Sequence, residues 1–305
     1  VFRGALNYRK DNMIKIKIPA TSANLGPGFD CLGISYTLCN VYKVKKAKSM
    51  LIEGCNKKYT TKSNVFNRAF QKTMKMLGKK GSFHVYYEET IPASRGLGSS
   101  ASVIVAGCMA ANRLYGGLRK LNKDEIFNIA ANVEGHPDNV APAIYGGLTV
   151  TAKLTDKSYH CSKYKVSHKL HFTILIPDFK TSTEKSRKVL PNKYKKEDVI
   201  STISHSILMV DALQTGNMKL LKSISKDYVH EPYRKKLIRD YDYIKKTAYK
   251  QHYENLNIKE LMQACRNMKT EPDSETVIMV ENNIYDKIAK RVEQIKKDGE
   301  GKEEY

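Results

Sequence analysis

No stretch of this 305-residue chain approaches the roughly 20 consecutive apolar residues that a membrane-crossing helix needs, which leaves no candidate for one. The opening residues, Val1 to Asn12, hold no apolar core of signal-peptide length. The expectation is a cytoplasmic protein, with residues 1–12 as an extension and Met13 as the start of the folded part. No C-x-x-C pair occurs among the six cysteines, Cys31, Cys39, Cys55, Cys108, Cys161 and Cys265, and the histidines show no metal-binding spacing. Zinc and dithiol redox motifs are therefore missing, and the thiols read as reduced. The G-x-x-x-x-G-K-[ST] spacing is absent too, so the P-loop NTPase fold is not implied. Acidic residues are scarce, 31 against 53 Lys+Arg, for a formal net charge of +22. The lysines are scattered through every segment, and few aromatics interleave with them as a nucleic-acid stacking platform requires. That pattern is a lysine-biased solvated surface that attracts anionic ligands. A nucleic-acid partner is not expected.

What the chain does have is a glycine loop feeding a helix: I-P-A-S-R-G-L-G-S-S-A-S, Ile91 to Ser102. Gly96 and Gly98 let the backbone turn tightly, and an apolar, helix-compatible run from Val103 to Ala111 follows. Such a loop points several backbone N–H groups at one spot where the helix dipole also favours an anion. As an isolated G-x-G the stretch is an ordinary serine-capped turn; the longer P-x-x-R-G-L-G-S-S-A string is far more specific.

Two further loops stand out. Pro19 to Gly33, P-A-T-S-A-N-L-G-P-G-F-D-C-L-G, follows an alternating strand Ile14–Ile18 that Pro19 is expected to end. Taken alone it is a hairpin loop with Asn24 and Asp30 as turn formers. Glu134 to Gly147, E-G-H-P-D-N-V-A-P-A-I-Y-G-G, crowds Glu134, His136, Asp138 and Asn139 into a Pro/Gly-rich stretch. It is either a polar cap or a carboxylate for Mg²⁺ beside hydrogen-bonding groups for a small polar substrate. Around these loops, strands are expected over Val41–Ile52 (a pair), Phe83–Tyr87, Leu148–Ala152, Phe172–Ile176 and Thr276–Val280. Helices are expected from Asn64 to Met76, after the glycine loop to Gly116, from Asn122 to Gly135 with Glu125 in capping-box position, over Lys196–Gln214 and Asn217–Ser225, and over Ile284–Lys296. Tyr159–Leu170 reads as a polar junction between domains.

These motifs together resemble the GHMP kinases, and E-G-H-P-D-N-V-A-P with T-S-T-E-K-S-R-K-V-L-P (Thr181 to Pro191) resembles the homoserine kinase branch. Ser186 stands where that branch usually has alanine, and D-Y-V-H-E-P-Y-R (Asp227 to Arg234) resembles its second arginine segment. The resemblance implies an α+β, two-domain GHMP kinase fold. A ribosomal protein S5 domain 2-like, ATP-binding N-terminal domain would span 13–165, a ferredoxin-like C-terminal domain 166–298, and a polar tail 299–305. It implies transfer of the ATP γ-phosphoryl to the hydroxyl of L-homoserine, on the way to threonine, by a homodimer. Pro92, Ala93, Ser94, Arg95, Gly96, Leu97, Gly98, Ser99, Ser100, Ala101 and Ser102 would bind ATP; Ser100 and Glu134 would hold Mg²⁺. Asn24, Asp30, His136 and Asn139 would orient the substrate's amine and hydroxyl, and Thr183, Arg187 and Arg234 its carboxylate. Asp30, His136, Asn139 and Arg187 are the implied catalytic groups, with Asp30 and His136 the candidates for a base by type.

The resemblance breaks late in the chain. The family's G-A-Y-x-x-x-[LI]-S-G-[SA]-G-P segment is missing: no glycine occurs between Gly216 and Gly299, and Asn257 to Arg266 stands in its place. Side chains such as Met262, Gln263 and Arg266 would obstruct the backbone approach that glycines allow there. Either the site has diverged, or the segment reflects a shifted reading frame, since codons permitted for K-E-L-M-Q-A-C-R, read one base earlier, can encode G-A-Y-A-[S/G]-[M/V/L]-S. The alternatives to homoserine phosphorylation are another GHMP small-molecule kinase and a catalytically impaired nucleotide- or nucleic-acid-binding descendant. The nucleotide sequence over Lys259 to Arg266 tests the frame: a glycine-alanine-tyrosine run in the neighbouring frame is expected, and its absence rules the shift out.

Overall fold

A computed structural model describes residues 13–176, 183–238, 241–243, 245–246 and 277–281. Strand β1 (Ile14–Ala23) pairs antiparallel with the long strand β2 (Leu32–Ala47), from Ile14 opposite Val44 to Ala23 opposite Gly33. Pro19 does not end β1. The register jumps beside it instead, with Pro19 facing Cys39 and Thr21 facing Ser35, which is where a residue without an N–H can sit inside a strand. After the jump, Ala20 and Thr21 are both fully buried.

The other edge of β2 is shared. Strand β4 (Ser82–Glu88) runs antiparallel along Val41–Ala47, and β5 (Leu148–Lys153) along Leu32–Ile34. Strand β3 (Leu51–Glu53) joins β4 in parallel and β6 (Tyr159–Tyr164) joins β5 antiparallel, which completes a six-stranded sheet. The expected strand pair over Val41–Ile52 is thus the end of β2 plus β3. The first half of the expected polar junction at Tyr159–Leu170 is the edge strand β6. Y-H-C-S-K-Y lacks apolar contrast because Tyr159, Cys161 and Tyr164 reach apolar clusters only partly buried.

Four helices cover one face: α1 (Val65–Leu77), α2 (Ser99–Tyr115), α3 (Lys123–Glu134) and α4 (Val140–Tyr145). Asn64 caps α1 by accepting from the Phe66 N–H, and Asn122 with Glu125 forms the expected capping box on α3. Helix α2 is apolar nearly all round because it is the buried one, with every residue from Ala101 to Ala111 except Met109 buried. At Gly107 a Cβ would stand 2.4 Å from the Phe66 carbonyl oxygen, so α1 and α2 approach backbone to backbone there. Phe66 also packs against Phe83 at 4.9 Å between ring centroids, and Phe70 against Phe83 at 4.5 Å.

Beyond the first sheet, β7 (Phe172–Ile176) pairs antiparallel with β8 (Val277–Glu281). Helices α5 (Thr183–Lys188), α6 (Lys196–Thr215), α7 (Met218–Ile224) and α8 (Glu231–Arg234) lie between them in the chain. One apolar cluster joins Leu32 and Leu148 of the first sheet to Met209, Ala212 and Leu213 of α6. Another joins Ala20, Ile34, Ile91 and Leu97 to Ile176. Asn257–Arg266 and the helix expected over Ile284–Lys296 lie outside the described residues. Among the described residues, no helix is long and apolar enough to cross a membrane. Phe66→Ala removes a fully buried ring from the α1–α2–β4 core and is expected to cost about 3–5 kcal/mol, read as a lower urea midpoint at unchanged slope.

Candidate functional site

The loop before α2 turns on three left-handed residues, Ser94, Gly96 and Gly98, with φ of 60°, 77° and 64°. Leu97 is buried between them and anchors the loop in the apolar cluster around Ile34 and Ile91. Gly98 is the N-cap of α2 and no side chain caps it, so the first N–H groups of a buried helix face the loop's concavity. The two glycines differ physically. A Cβ at Gly96 meets nothing within 4 Å, whereas one at Gly98 would lie 1.9 Å from Thr21 Oγ1 and 3.1 Å from Asn139 Oδ1. Gly98 is where the first and third polar loops meet the glycine loop.

The residues of this loop divide by exposure. Pro92, Ala93, Ser94, Arg95, Gly96, Ser99 and Ser100 reach the surface to differing degrees, while Leu97, Ala101 and Ser102 are buried. Ser102 therefore turns inward, its hydroxyl 2.6 Å from Tyr42 OH and 3.3 Å from Asn40 Nδ2. Asn40 is a residue the motifs did not reveal. Its Oδ1 accepts from the N–H groups of Thr90 and Ile91 at 2.8 and 2.9 Å, and its Nδ2 donates to Tyr42 and Ser102. One fully buried amide thus ties the start of the glycine loop to β2 and α2. The available signal was a polar residue at a core-facing position of β2, in step with Tyr42 and Val44.

Ser100, in the first turn of α2, donates to Glu134 Oε2 at 2.8 Å, where α3 ends. Burial pushes the Glu134 carboxyl above its ordinary range; Ser100 and His136 oppose that, and Asp138 adds to it. His136 Nδ1 lies 2.7 Å from Asp138 Oδ1. Burial alone would depress the imidazole, but Asp138, through that bond and its charge, and Glu134 outweigh it, and His136 sits above its ordinary value. Asp138 is buried and also accepts from the Asn139 N–H at 2.9 Å. Strand β2 presses directly on this loop: a Cβ at Gly33 would stand 2.0 Å from the Asp138 carbonyl oxygen.

The loop from Asn24 to Asp30 closes on itself, Asn24 Oδ1 accepting from the Asp30 N–H at 2.9 Å, with both residues at φ 56°. Arg187, on α5, donates to both Asp30 carboxylate oxygens at 3.0 and 2.7 Å, a planar two-point pair that remains over a third exposed at each partner. Arg234, on α8, donates through Nε to the Ser186 carbonyl at 3.0 Å. Its guanidinium lies 4.7 Å from the Phe29 ring centre and that of Arg187 5.8 Å, so both arginines converge on one aromatic ring. Burial lowers the Arg234 pKa, with Arg187 in the same direction and Asp30 against it. His230 stacks on Phe29 at 5.2 Å and bonds the Gly26 carbonyl at 3.0 Å. Asp227 holds that turn by accepting from the N–H groups of Val229, His230 and Glu231.

The three loops and two arginine segments expected to form one site are therefore brought together. Thr183 opens α5, the helix that carries Arg187. Phe29, His230, Asp227 and Thr21 join the site without having been singled out. Among the described residues there is no cluster of three or more His, Cys, Asp or Glu side chains fit to hold a metal by themselves.

The GHMP kinases N terminal domain family matches residues 64–147. Homoserine kinase of Clostridium botulinum (strain ATCC 19397 / Type A) is 44% identical over 241 residues, which are 78% of this chain and 80% of the relative. Homoserine kinase of Caldicellulosiruptor bescii is 40% identical over 237 residues, 76% of each. Among solved structures, homoserine kinase from Cytophaga hutchinsonii superposes with a TM-score of 0.76 over 92% of this chain and 96% of the other at 23% identity, which speaks for the fold.

The contrast between the glycines is measurable. Gly96→Ala is expected to cost the roughly 1–2 kcal/mol of left-handed strain, and Gly98→Ala at least another 1–3 kcal/mol for the overlap with Thr21. Urea unfolding of the two variants reads that gap directly.

Proposed function

As this chain belongs to the homoserine kinase family of the GHMP kinases, we propose that it transfers the γ-phosphoryl group of ATP to the side-chain hydroxyl of L-homoserine. The observation that carries this reading is the convergence of an uncapped, solvent-reaching helix start with a zwitterion-sized set of charges, Asp30, Arg187 and Arg234, held by separate segments. Phosphoryl transfer asks a protein for positioning and charge neutralisation more than for covalent chemistry. The backbone from Pro92 to Ser100 and the first turn of α2 cradle the triphosphate in this reading, while Ala101 and Ser102 serve through their backbone and packing.

Ser100 and Glu134 fit a Mg²⁺ ion. They are hard oxygen ligands 2.8 Å apart, one of them a carboxylate whose burial beside Asp138 leaves its charge wanting a cation. When bound with phosphate oxygens, such an ion supplies neutralisation of the charge developing between the β- and γ-phosphates.

The amino acid's two charges suit the pair Asp30 and Arg187. Without substrate each satisfies the other. On binding, Arg187 would turn its fork to the substrate carboxylate and Asp30 would take the ammonium, so that neither charge is ever left unpaired. Arg234, backed by Phe29 and fixed by Ser186, adds a second cation on the same side. His136, held by Asp138, stays beside Glu134 to orient the hydroxyl. A homodimeric, cytoplasmic enzyme accompanies this reading.

A coupled assay tests it: ADP release is expected to depend on L-homoserine, with O-phosphohomoserine as the product, and release that ignores homoserine would refute it. Arg187→Ala is expected to raise the homoserine KM about 100-fold, roughly 3 kcal/mol for a lost charge-assisted contact, with the KM for ATP little changed.

A further inference from the structure

We propose that Thr21 is a positioning residue that sets which end of the Asn139 amide faces the substrate. This rests on the homoserine kinase reading and goes beyond its motifs. Thr21 is fully buried, on β1 just past the register jump at Pro19. Its Oγ1 donates to Asn139 Oδ1 at 2.8 Å across 118 residues of sequence. Its own N–H donates to the Leu97 carbonyl at 3.2 Å, and its hydroxyl fills the space that a side chain at Gly98 would need. One residue therefore joins the glycine loop by its backbone and the Glu134–Gly147 loop by its side chain.

The direction of the bond follows from satisfaction. Among the described residues, Thr21 Oγ1 has no other hydrogen-bond partner. Flipping the Asn139 amide would turn an N–H₂ group to Thr21 and leave the hydroxyl proton buried without an acceptor, a loss that buried polar groups avoid. The oxygen of the amide is thus committed to Thr21, and Nδ2, with no bond among the described residues, is left as a donor. Asn139 then offers N–H to a lone pair of the substrate hydroxyl or to a phosphoryl oxygen, and does not accept the hydroxyl proton. That orients the nucleophile by donation.

Three variants test this. Thr21→Val keeps the shape and removes the donor; kcat is expected to fall about 10-fold and the homoserine KM to rise several-fold, with the KM for ATP within twofold of wild type. Thr21→Ser keeps the hydroxyl and is expected to stay within threefold of wild type on every constant. Thr21→Cys, a weak donor of similar size, is expected to fall between the two and takes the place of the valine variant if that one does not fold. Wild-type kinetics in Thr21→Val, or in Thr21→Cys where it substitutes, overturn the proposal while leaving homoserine phosphorylation standing. An equal loss in Thr21→Ser and Thr21→Val also overturns it, because packing rather than the hydroxyl would then be responsible. A wild-type protein that makes no O-phosphohomoserine removes the underlying reading, and this proposal with it.

Discussion

The structure depends on a helix start that no side chain among the described residues caps. Helix α2 is enclosed by α1, α3, α4 and the sheet, so its position is fixed by packing. Its N-cap is a glycine with no side chain to accept from the first turn. A helix held this way carries unpaired N–H groups and a positive dipole end to one place and keeps them there. Gly98 cannot be replaced by a capping serine or aspartate without striking Thr21. The same close approach that forbids a cap brings β1 and Asn139 to that helix start.

Around that point the charges are balanced locally although the whole chain carries +22. Asp30 faces Arg187, Asp138 faces His136, and Glu134 is offset by Ser100 and the nearby imidazole. Of these, the Asp30–Arg187 pair is the two-point ion pair that stays partly exposed. In the proposed reading an amino acid brings one carboxylate and one ammonium, and Arg187 and Asp30 would receive one each. Most lysines lie elsewhere and serve solubility and long-range attraction of anions rather than recognition.

Much of this was legible in sequence because the chemistry is carried by compact runs. Glycines at 96 and 98, the E-G-H-P-D-N stretch and the capping pair Asn122 and Glu125 announce themselves through local rules; the helices opened at Gly98 and Asn122 lie where those rules put them, whereas α4, opened at Asn139, stands in a stretch expected to be loop. The bonds that tie the runs together were not legible. Asn40 and Thr21 are single polar residues inside strands, and their partners are 50 to 62 and 118 residues away. Phe29 reads as a turn aromatic until two arginines are seen over its face. Pro19 misled because proline ends most strands, whereas here the register jump absorbs its missing donor. Strand β6 was hidden by its polarity, since an edge strand needs few buried side chains.

The most direct measurement is a crystal structure of the protein with a non-hydrolysable ATP analogue and L-homoserine. The triphosphate should lie against the N-terminus of α2 at Gly98, with the amino acid's carboxylate on Arg187 and the Arg187–Asp30 pair opened. A nucleotide bound elsewhere, or Arg187 still closed on Asp30 with homoserine in place, would contradict the picture of a helix start and an exchangeable ion pair built to receive these two ligands.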